Sequence, residues 1–295
     1  MKIATSCYVL DLSGTPTYTT TMCKELALRG HEVSIYSTLG GKLSTGFNVY
    51  LNALEMPKPD VIIAQHDICA IELRRVFPKV PMIFSSHGVT PALEQPPTID
   101  IQRYFAVNEE VVGNLVSKGV CADDIDIVRD FINIDRFFPS VNLNEKPKRI
   151  LFVSNYKKSE AFCNIVHACE KMNIEFRAAG SPYRRSYEVE KDMNKADIVI
   201  SIARGVLEAM SCGRAAISYD LGTGDGYIDP SNYFESRTRN FGYKKCKYKF
   251  TVETLINEIE KYNPLSGITN RNLIIEHHNH RKVVDQMLEI IETKL

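Results

Sequence analysis

The residues that point most directly to chemistry lie in the stretch from Ala196 to Gly226. The β-branched run Ile198–Ile200 predicts a buried strand, and a short turn separates it from an apolar helix that ends at Gly213. A helix N-terminus at the end of a parallel strand presents N–H groups and a partial positive charge, which suits a phosphate. Glu208, in the predicted first turn of this helix, could also accept hydrogen bonds from a diol beside the phosphates.

The same stretch predicts a further strand and a loop after the helix. Ala215–Ser218 is the predicted strand, and the loop holds Gly222, Gly224 and Gly226. A unit of strand, tight turn, helix and strand is typical of Rossmann-like parallel sheets. On this pattern alone, the helix could be purely structural and Glu208 a solvated residue on its surface.

The letters VLEAMSCGRAAIS resemble the most recognisable segment of the family-4-like glycosyltransferases of the GT-B fold. In that family the segment reads roughly E-G-x-G-x-x-x-x-E-A-M-A-C-G-x-P-V-I. Its second Glu binds the ribose hydroxyls of a nucleotide sugar, and Glu208 matches that position. The family holds the donor diphosphate with the backbone at the helix start, which implies a donor-binding role for Gly205, Val206 and Leu207.

The chain departs from the family pattern in the turn before this helix. The first Glu has no counterpart at the family spacing, because Ile200 stands there, and the shortened turn carries Arg204, a further candidate donor-binding residue. The loop after the predicted strand Arg149–Val153 carries an Arg and a Lys in the family, and here it carries Lys157 and Lys158. A cation there would neutralise charge on the departing diphosphate. Both lysines could instead be solvated at a helix start.

Three further positions complete the site that the resemblance implies. Gly180 follows a predicted strand and resembles the first glycine of the family's G-x-G loop. Ser13 and Gly14 stand where the family has Gly-Gly, in a loop that follows the first strand and faces the acceptor. His87 follows the predicted strand Pro81–Ser85 and takes the place of a histidine that could bind a sugar hydroxyl or stabilise developing charge. A loop histidine satisfied by the backbone is an equally open interpretation.

The elements around these residues predict an α/β fold. A strand over Lys2–Leu10, a helix over Thr19–Leu28 and a strand over Glu32–Ser37 make a βαβ unit, and such units imply a parallel sheet. The letters RGHEVSIYS in this unit also resemble the family. The resemblance implies a GT-B-like architecture of two Rossmann-like domains with mostly parallel sheets facing across a cleft. The predicted parts are an acceptor-side domain over 1–140, a nucleotide-sugar-binding domain over 148–270, and a helical segment over 271–295 that could cross back to the first domain.

Composition argues against several other classes of protein. The 295 residues carry 36 Lys+Arg and 36 Asp+Glu, so no net charge directs the chain to nucleic acid. No G-x-G-x-x-G follows the first strand, which argues against an NAD enzyme. The eight cysteines form no C-x-x-C pair, which argues against zinc or thioredoxin-like sites and favours reduced thiols in the cytoplasm. No apolar run approaches the roughly 20 residues of a membrane span, so no integral membrane segment is expected.

The function that the resemblance implies is transfer of a sugar from a UDP-, GDP- or ADP-sugar to a hydroxyl of a glycan or another acceptor. The family is usually retaining and needs no metal or separate cofactor. His277, His278 and His280 could hold a metal, but solvated histidines are the favoured interpretation. Two alternatives stay open: a non-catalytic module that binds nucleotide or glycan, and a nucleotide-sugar 2-epimerase, for which an acidic cluster would be expected.

Overall fold

The structure is a computed structural model that describes residues 1–155, 160–181, 186–221, 223–242 and 248–295. Its contacts divide the chain into two units. The first unit holds Met1–Phe131 and His280–Leu295, and the second unit holds Ile132–Asn279. The chain therefore passes from the first unit to the second after residue 131, whereas the sequence predicted this boundary at residue 140. Residues 271–279 belong to the second unit.

The first unit is built on a parallel sheet with helices against both faces. Its strands are β1 (Lys2–Ser6), β2 (Glu32–Tyr36), β3 (Asn48–Tyr50), β4 (Val61–Gln65), β5 (Met82–Ser86), β6 (Arg103–Ala106) and β7 (Ile125–Ile127). They pair in the order β3-β2-β1-β4-β5-β6-β7, and all neighbours are parallel. The helices between the strands are α1 (Gly14–Leu28), α2 (Asp67–Val76) and α3 (Glu109–Ser117).

Burial on both faces explains the apolar run over residues 61–64 of the central strand β4. All five residues of β4 are buried. One face of the sheet packs against α2 and α3 through Leu73 and Leu115, and the other packs against α1 through Met22. A sheet covered in this way leaves its strand ends, and the loops that follow them, to carry the polar groups.

The helix α1 begins at Gly14, so the predicted start at Thr19 is wrong. Ser13 is the residue before the helix, and Gly14 is its first residue rather than part of a loop. Pro16 is tolerated because the first turn of a helix needs no N–H there. The threonine hydroxyls that follow donate to carbonyls four residues earlier, such as Thr19 Oγ1 to Thr15 O at 2.8 Å, which removes their competition with the helix.

The second unit contains a smaller, mostly parallel sheet. Its strands are β8 (Arg149–Val153), β9 (Glu175–Ala179), β10 (Ile198–Ser201), β11 (Ala215–Asp220), β12 (Thr223–Tyr227) and β13 (Tyr248–Lys249). They pair in the order β13-β12-β11-β10-β8-β9; β12 is antiparallel to both of its neighbours, β11 and β13, and the other pairs are parallel. The helices are α4 (Glu160–Met172), α5 (Val189–Asn194), α6 (Arg204–Ser211), α7 (Tyr233–Arg237), α8 (Val252–Glu260) and α9 (Ser266–His277).

The glycines after β11 lie in a strand, so the predicted loop is wrong for Gly224 and Gly226. A Cβ atom on Gly224 would lie 1.9 Å from Ser218 O of β11, so this close approach of the two strands admits only glycine. Packing therefore overrides the low strand propensity of glycine. Gly222 lies outside the described residues.

The chain end forms two helices, α9 and α10 (His280–Lys294), so the helical segment predicted over 271–295 is divided between them. The break falls at His278, whose backbone carbonyl accepts a 2.8 Å hydrogen bond from Ile132 N of the same unit. Helix α10 belongs to the first unit and packs on α1. There His280 Nε2 lies 3.0 Å from Glu25 Oε1, a contact between two buried side chains that joins the two helices.

Candidate functional site

The turn between β10 and α6 brings the helix start close to the end of the strand. Ala203, the residue before the helix, has φ of 50°, a left-handed conformation that is unusual for a residue with a side chain. A Cβ atom on Gly205 would lie 2.1 Å from Ser201 Oγ, so glycine permits the close packing of helix on strand. Backbone strain and close approach together mark this turn as a candidate functional position.

Two N–H groups that the sequence assigns to phosphate already have acceptors. Gly205 N donates to Ile202 O at 3.1 Å, and Val206 N donates to Ala203 O at 3.0 Å. A phosphate would therefore share these donors with carbonyl groups. The positive end of the helix dipole remains at the same place, so donor binding at Gly205 and Val206 stays a prediction.

The side chains of Val206 and Leu207 are part of the apolar core of the second unit. They are 1% and 0% exposed and belong to the buried cluster that includes Tyr233 and Phe241. Only the backbone of these two residues could contact a ligand. The apolar face of α6 therefore anchors the helix, and its polar face carries the candidate site.

Glu208 is the fifth residue of α6, so its predicted place in the first turn is wrong. The helix starts at Arg204, directly after the left-handed Ala203. Glu208 Oε1 accepts a hydrogen bond from Arg204 Nε at 2.9 Å. Burial raises the pKa of Glu208, while the positive charges of Arg204 and Arg136 oppose that rise.

The loops after β8, β9 and β11 meet at the same edge of this sheet. Ser154 Oγ donates to Asp220 Oδ2 at 2.6 Å, and Leu221 N donates to Asp220 Oδ1 at 2.7 Å. Gly180 has φ of +104°, and a Cβ atom there would lie 2.0 Å from Ser154 O. Gly180 is thus packed against Ser154 at the edge where parallel sheets bind ligands.

Sequence reasoning missed the contact of Ser154 with Asp220, the last residue of β11. The only available signal was the position of each residue at the end of a predicted strand. Lys157 and Lys158 lie outside the described residues, so their predicted contact with a diphosphate stays a prediction.

We expect the Asp220→Asn variant to be less sensitive to pH than the wild type. Burial raises the pKa of Asp220, so the folded protein keeps this proton to a higher pH than the unfolded chain does. Between those two pKa values the free energy of unfolding falls as pH rises, by at most about 1.4 kcal/mol per pH unit. The asparagine can still accept from Leu221 N and donate to Ser154 Oγ.

Urea unfolding followed by circular dichroism from about pH 4 to about pH 7 measures this difference. The matched control is Asp123→Asn, which changes an exposed aspartate. If the free energy of unfolding has the same pH dependence in the wild type and in the Asp220→Asn variant, the raised pKa of Asp220 is contradicted.

In the first unit, His87 follows β5 and lies in a buried polar cluster. Its Nε2 is 3.3 Å from Ser85 Oγ, and its Nδ1 is 3.8 Å from Asp130 Oδ1. The ring of Tyr18 meets the imidazole edge-on at a centroid distance of 4.4 Å. Both ring nitrogens of His87 thus face protein groups, and its side chain is 9% exposed. Contact with a sugar hydroxyl, which stays a prediction, would require the imidazole to turn.

The carboxylate that organises this cluster is Glu94, which sequence reasoning did not identify. Glu94 Oε2 accepts from His87 N at 2.9 Å, and Glu94 Oε1 accepts from Thr15 Oγ1 at 3.2 Å. Tyr8 N donates to His66 Nδ1 at 2.9 Å, so the hydrogen of neutral His66 is on Nε2, which is 3.5 Å from Glu94 Oε1. Burial favours a raised pKa for Glu94, but the contacts with both histidines outweigh it and the pKa is lowered.

The residues predicted to face an acceptor lie beside this polar cluster. Ser13 and Gly14 lie at the start of α1, next to Thr15, whose hydroxyl touches Glu94. The structure therefore brings the start of α1 and the loop that begins at His87 to one place in the first unit. Their contact with an acceptor stays a prediction.

Two of the histidines near the chain end, His277 and His278, contact the ring of Tyr233. The rings of His277 and Tyr233 stack at a centroid distance of 5.9 Å, and His278 meets the same tyrosine edge-on. Within the described ranges, no three or more His, Cys, Asp or Glu side chains are grouped so that they could hold a metal ion. The described helices include none with the length and apolar character needed to cross a membrane.

No family model matches the chain, and no curated protein matches its sequence. Solved structures do match. A glycosyltransferase from Rickettsia africae ESF-5 has a TM-score of 0.71 at 14% identity, covering 99% of this chain and 98% of that chain. Alr3699/HepE from Anabaena, in complex with UDP-glucose, has a TM-score of 0.66 at 12% identity, covering 99% of this chain and 100% of that chain.

A third structure is the apo form of the lipopolysaccharide outer core galactosyltransferase WaaB. It has a TM-score of 0.63 at 14% identity, and the match covers 100% of both chains. At such low identities the likeness establishes the fold and nothing finer. The chain therefore has the mixed α/β fold of the GT-B glycosyltransferases.

Proposed function

We propose that the chain is a glycosyltransferase that moves a sugar from a nucleotide-activated donor to a hydroxyl acceptor. The observation that carries this proposal is the start of α6, where a strained turn after β10 precedes the hydrogen-bonded pair Arg204 and Glu208. Open parallel sheets bind their ligands at this end of their strands, which supports the assignment of a donor site here. The fold supports it, because a structure with that fold was solved in complex with UDP-glucose. The match of VLEAMSCGRAAIS extends the proposal to a family-4-like, retaining enzyme.

In this proposal the second unit binds the donor. Glu208 accepts hydrogen bonds from the ribose hydroxyls, and the start of α6 attracts the diphosphate through the helix dipole. Arg204, Lys157 and Lys158 supply positive charge, and the backbone of Gly180 contributes to donor binding at the sheet edge. The bond that breaks joins the sugar to the diphosphate, so positive charge near the departing oxygen stabilises the transition state.

The first unit binds the acceptor in this proposal. Its polar cluster holds an imidazole, His87, next to the carboxylate of Asp130. Such a pair can accept and donate hydrogen bonds to a sugar or another polyol. The start of α1 at Ser13 and Gly14 is the second element expected to contact the acceptor.

A non-catalytic nucleotide-binding module is the second candidate. It is favoured by Ile200, which stands where the family has its first Glu and lies fully buried in β10. A nucleotide-sugar 2-epimerase is a third candidate, and the product of turnover identifies it.

Thermal unfolding with UDP-, GDP- and ADP-sugars tests donor binding, because a ligand that binds only the folded state raises the melting temperature. Incubation of the stabilising donor without acceptor then separates the candidates. Slow release of free sugar supports the transferase, inversion at C2 supports the epimerase, and binding without turnover supports the module. If no nucleotide sugar shifts the melting temperature, the proposal fails.

We expect donor binding and turnover to be unaffected by EDTA. The helix dipole and the basic side chains would perform the charge neutralisation that Mg²⁺ performs in other enzymes. The measurement compares turnover of the chelated protein with that of the protein supplied with Mg²⁺ or Mn²⁺. An enzyme that requires a metal ion bound by carboxylates is treated with EDTA in parallel, and its loss of activity shows that the chelation works. Recovery of lost activity on addition of either metal would refute metal independence.

A further inference from the structure

The carboxylate proposed to bind ribose already has a partner in its own helix. Arg204, the first residue of α6, donates from Nε to Glu208 Oε1 at 2.9 Å. The two side chains are only 10% and 12% exposed, so little water competes with their attraction. In the unliganded chain, Glu208 is therefore engaged before any ribose arrives.

This contact interferes with recognition of a diol. A carboxylate holds two neighbouring hydroxyls best when each of its oxygens accepts one hydrogen bond. Arg204 already donates to Oε1 of Glu208, so a two-oxygen contact with a ribose must share that oxygen with the guanidinium or displace it. A nucleoside without phosphate has no anion to attract the guanidinium away.

A nucleoside diphosphate does carry such an anion. The guanidinium group binds phosphate through paired N–H donors, and the positive end of the α6 dipole attracts the same phosphate. Arg204 is at that end of the helix, one turn before Glu208. The diphosphate therefore competes with Glu208 for Arg204, and the ribose of the same ligand gains the released oxygen.

A second guanidinium keeps the released carboxylate from becoming an isolated buried charge. The positive charge of Arg136 also acts on Glu208 and favours its ionised form. Arg136 itself is held by Glu190, with Nη2 and Oε2 2.8 Å apart. When Arg204 turns to a phosphate, the charge of Arg136 still opposes the rise that burial and Glu190 give the pKa of Glu208.

We infer that Arg204 is a specificity-determining residue that makes ribose recognition by Glu208 conditional on a diphosphate in the same ligand. The inference rests on the proposed donor site and deepens it, because it defines the ligand class as nucleoside diphosphates and their sugars, with nucleosides discriminated against. A lone nucleoside binds the molecules in which the Arg204–Glu208 contact is open. Its apparent affinity therefore falls in proportion to the fraction of molecules in that open state.

Calorimetric titration of the Arg204→Met variant tests this coupling with two ligands. They are the nucleoside diphosphate, among UDP, GDP and ADP, that binds the wild type best, and the nucleoside of the same base. Affinity for the diphosphate is expected to fall about ten- to a hundredfold, as for loss of a hydrogen bond to a charged group. Affinity for the nucleoside is expected to rise about three- to tenfold, because Glu208 is no longer occupied.

Controls separate this coupling from a general loss of structure. Arg75→Met removes an arginine from an exposed helical pair with Glu72 in the first unit, and both affinities should stay unchanged. The double variant Arg204→Met/Glu208→Gln should lose the gain in nucleoside affinity. Arg204→Lys keeps a positive charge in case Arg204→Met does not fold, and it should show the same opposite changes at smaller size.

The outcomes distinguish the inference from the proposed function. If the wild type binds no nucleoside diphosphate, the proposed function and the inference both fail. If the wild type binds one but both ligands weaken together in the folded Arg204 variants, or neither changes, only the inference fails. Opposite changes for the two ligands cannot arise from loss of folding, and they establish the coupling.

Discussion

Replacing Arg214 with alanine is expected to lower the free energy of unfolding of the second unit by about 3–5 kcal/mol. Arg214 is 2% exposed, and its guanidinium donates to backbone carbonyls rather than to a carboxylate. Nε donates to Cys212 O at 2.9 Å, Nη1 to Ala196 O at 3.3 Å, and Nη2 to Val141 O. The variant leaves the carbonyls of the buried residues Cys212 and Ala196 without this donor and opens a cavity where the side chain was.

Urea unfolding followed by circular dichroism suits this test, because the chain has no tryptophan for fluorescence. Arg177→Ala is the matched control, since Arg177 is 69% exposed and pairs with Glu175 at the surface. That change should stay within about 0.5 kcal/mol of the wild type. Arg214→Met fills most of the volume of the arginine side chain but has no hydrogen-bond donor. The difference in free energy of unfolding that remains between this variant and the wild type therefore measures the lost hydrogen bonds. A methionine variant as stable as the wild type would show that burying the charge costs as much as its hydrogen bonds contribute.

Replacing Glu208 with alanine is expected to weaken binding of the ribonucleotide donor about ten- to a hundredfold. The lost hydrogen bonds to a charged carboxylate are worth about 1.5–3 kcal/mol, and about 1.4 kcal/mol corresponds to a factor of ten. The 2′-deoxy donor lacks one of the hydroxyls that Glu208 would hold. It should therefore bind the wild type poorly and lose little further affinity in the variant.

The structure adds a control for this experiment. Alanine at position 208 removes the carboxylate that pairs with the buried Arg204. Part of any loss of donor affinity could therefore come from a less stable fold rather than from a lost ribose contact. Glu208→Gln keeps the size of the side chain and an oxygen acceptor, and its melting temperature should stay closer to that of the wild type. If a folded Glu208 variant still discriminates the deoxy donor as strongly as the wild type does, the ribose assignment is wrong.

The sequence by itself determined the type and order of the main elements. The β-branched run Ile198–Ile200 predicted a buried strand, and all residues of β10 are buried. The alternation of such runs with helices determined a parallel α/β arrangement. The position of α6 directly after β10 also followed from local pattern, and with it the place of the candidate site.

The tertiary structure alone decided where elements begin and which side chains meet. Helix α1 starts at Gly14, in a stretch of Gly, Pro and Thr with poor helix propensity, and strand β12 contains glycines because β11 approaches closely. Glu94 meets Thr15 across 79 positions of sequence. The physical reason is that propensity and hydrophobic period act over a few neighbouring residues, whereas strand approach and polar pairing depend on groups that only the folded chain brings together.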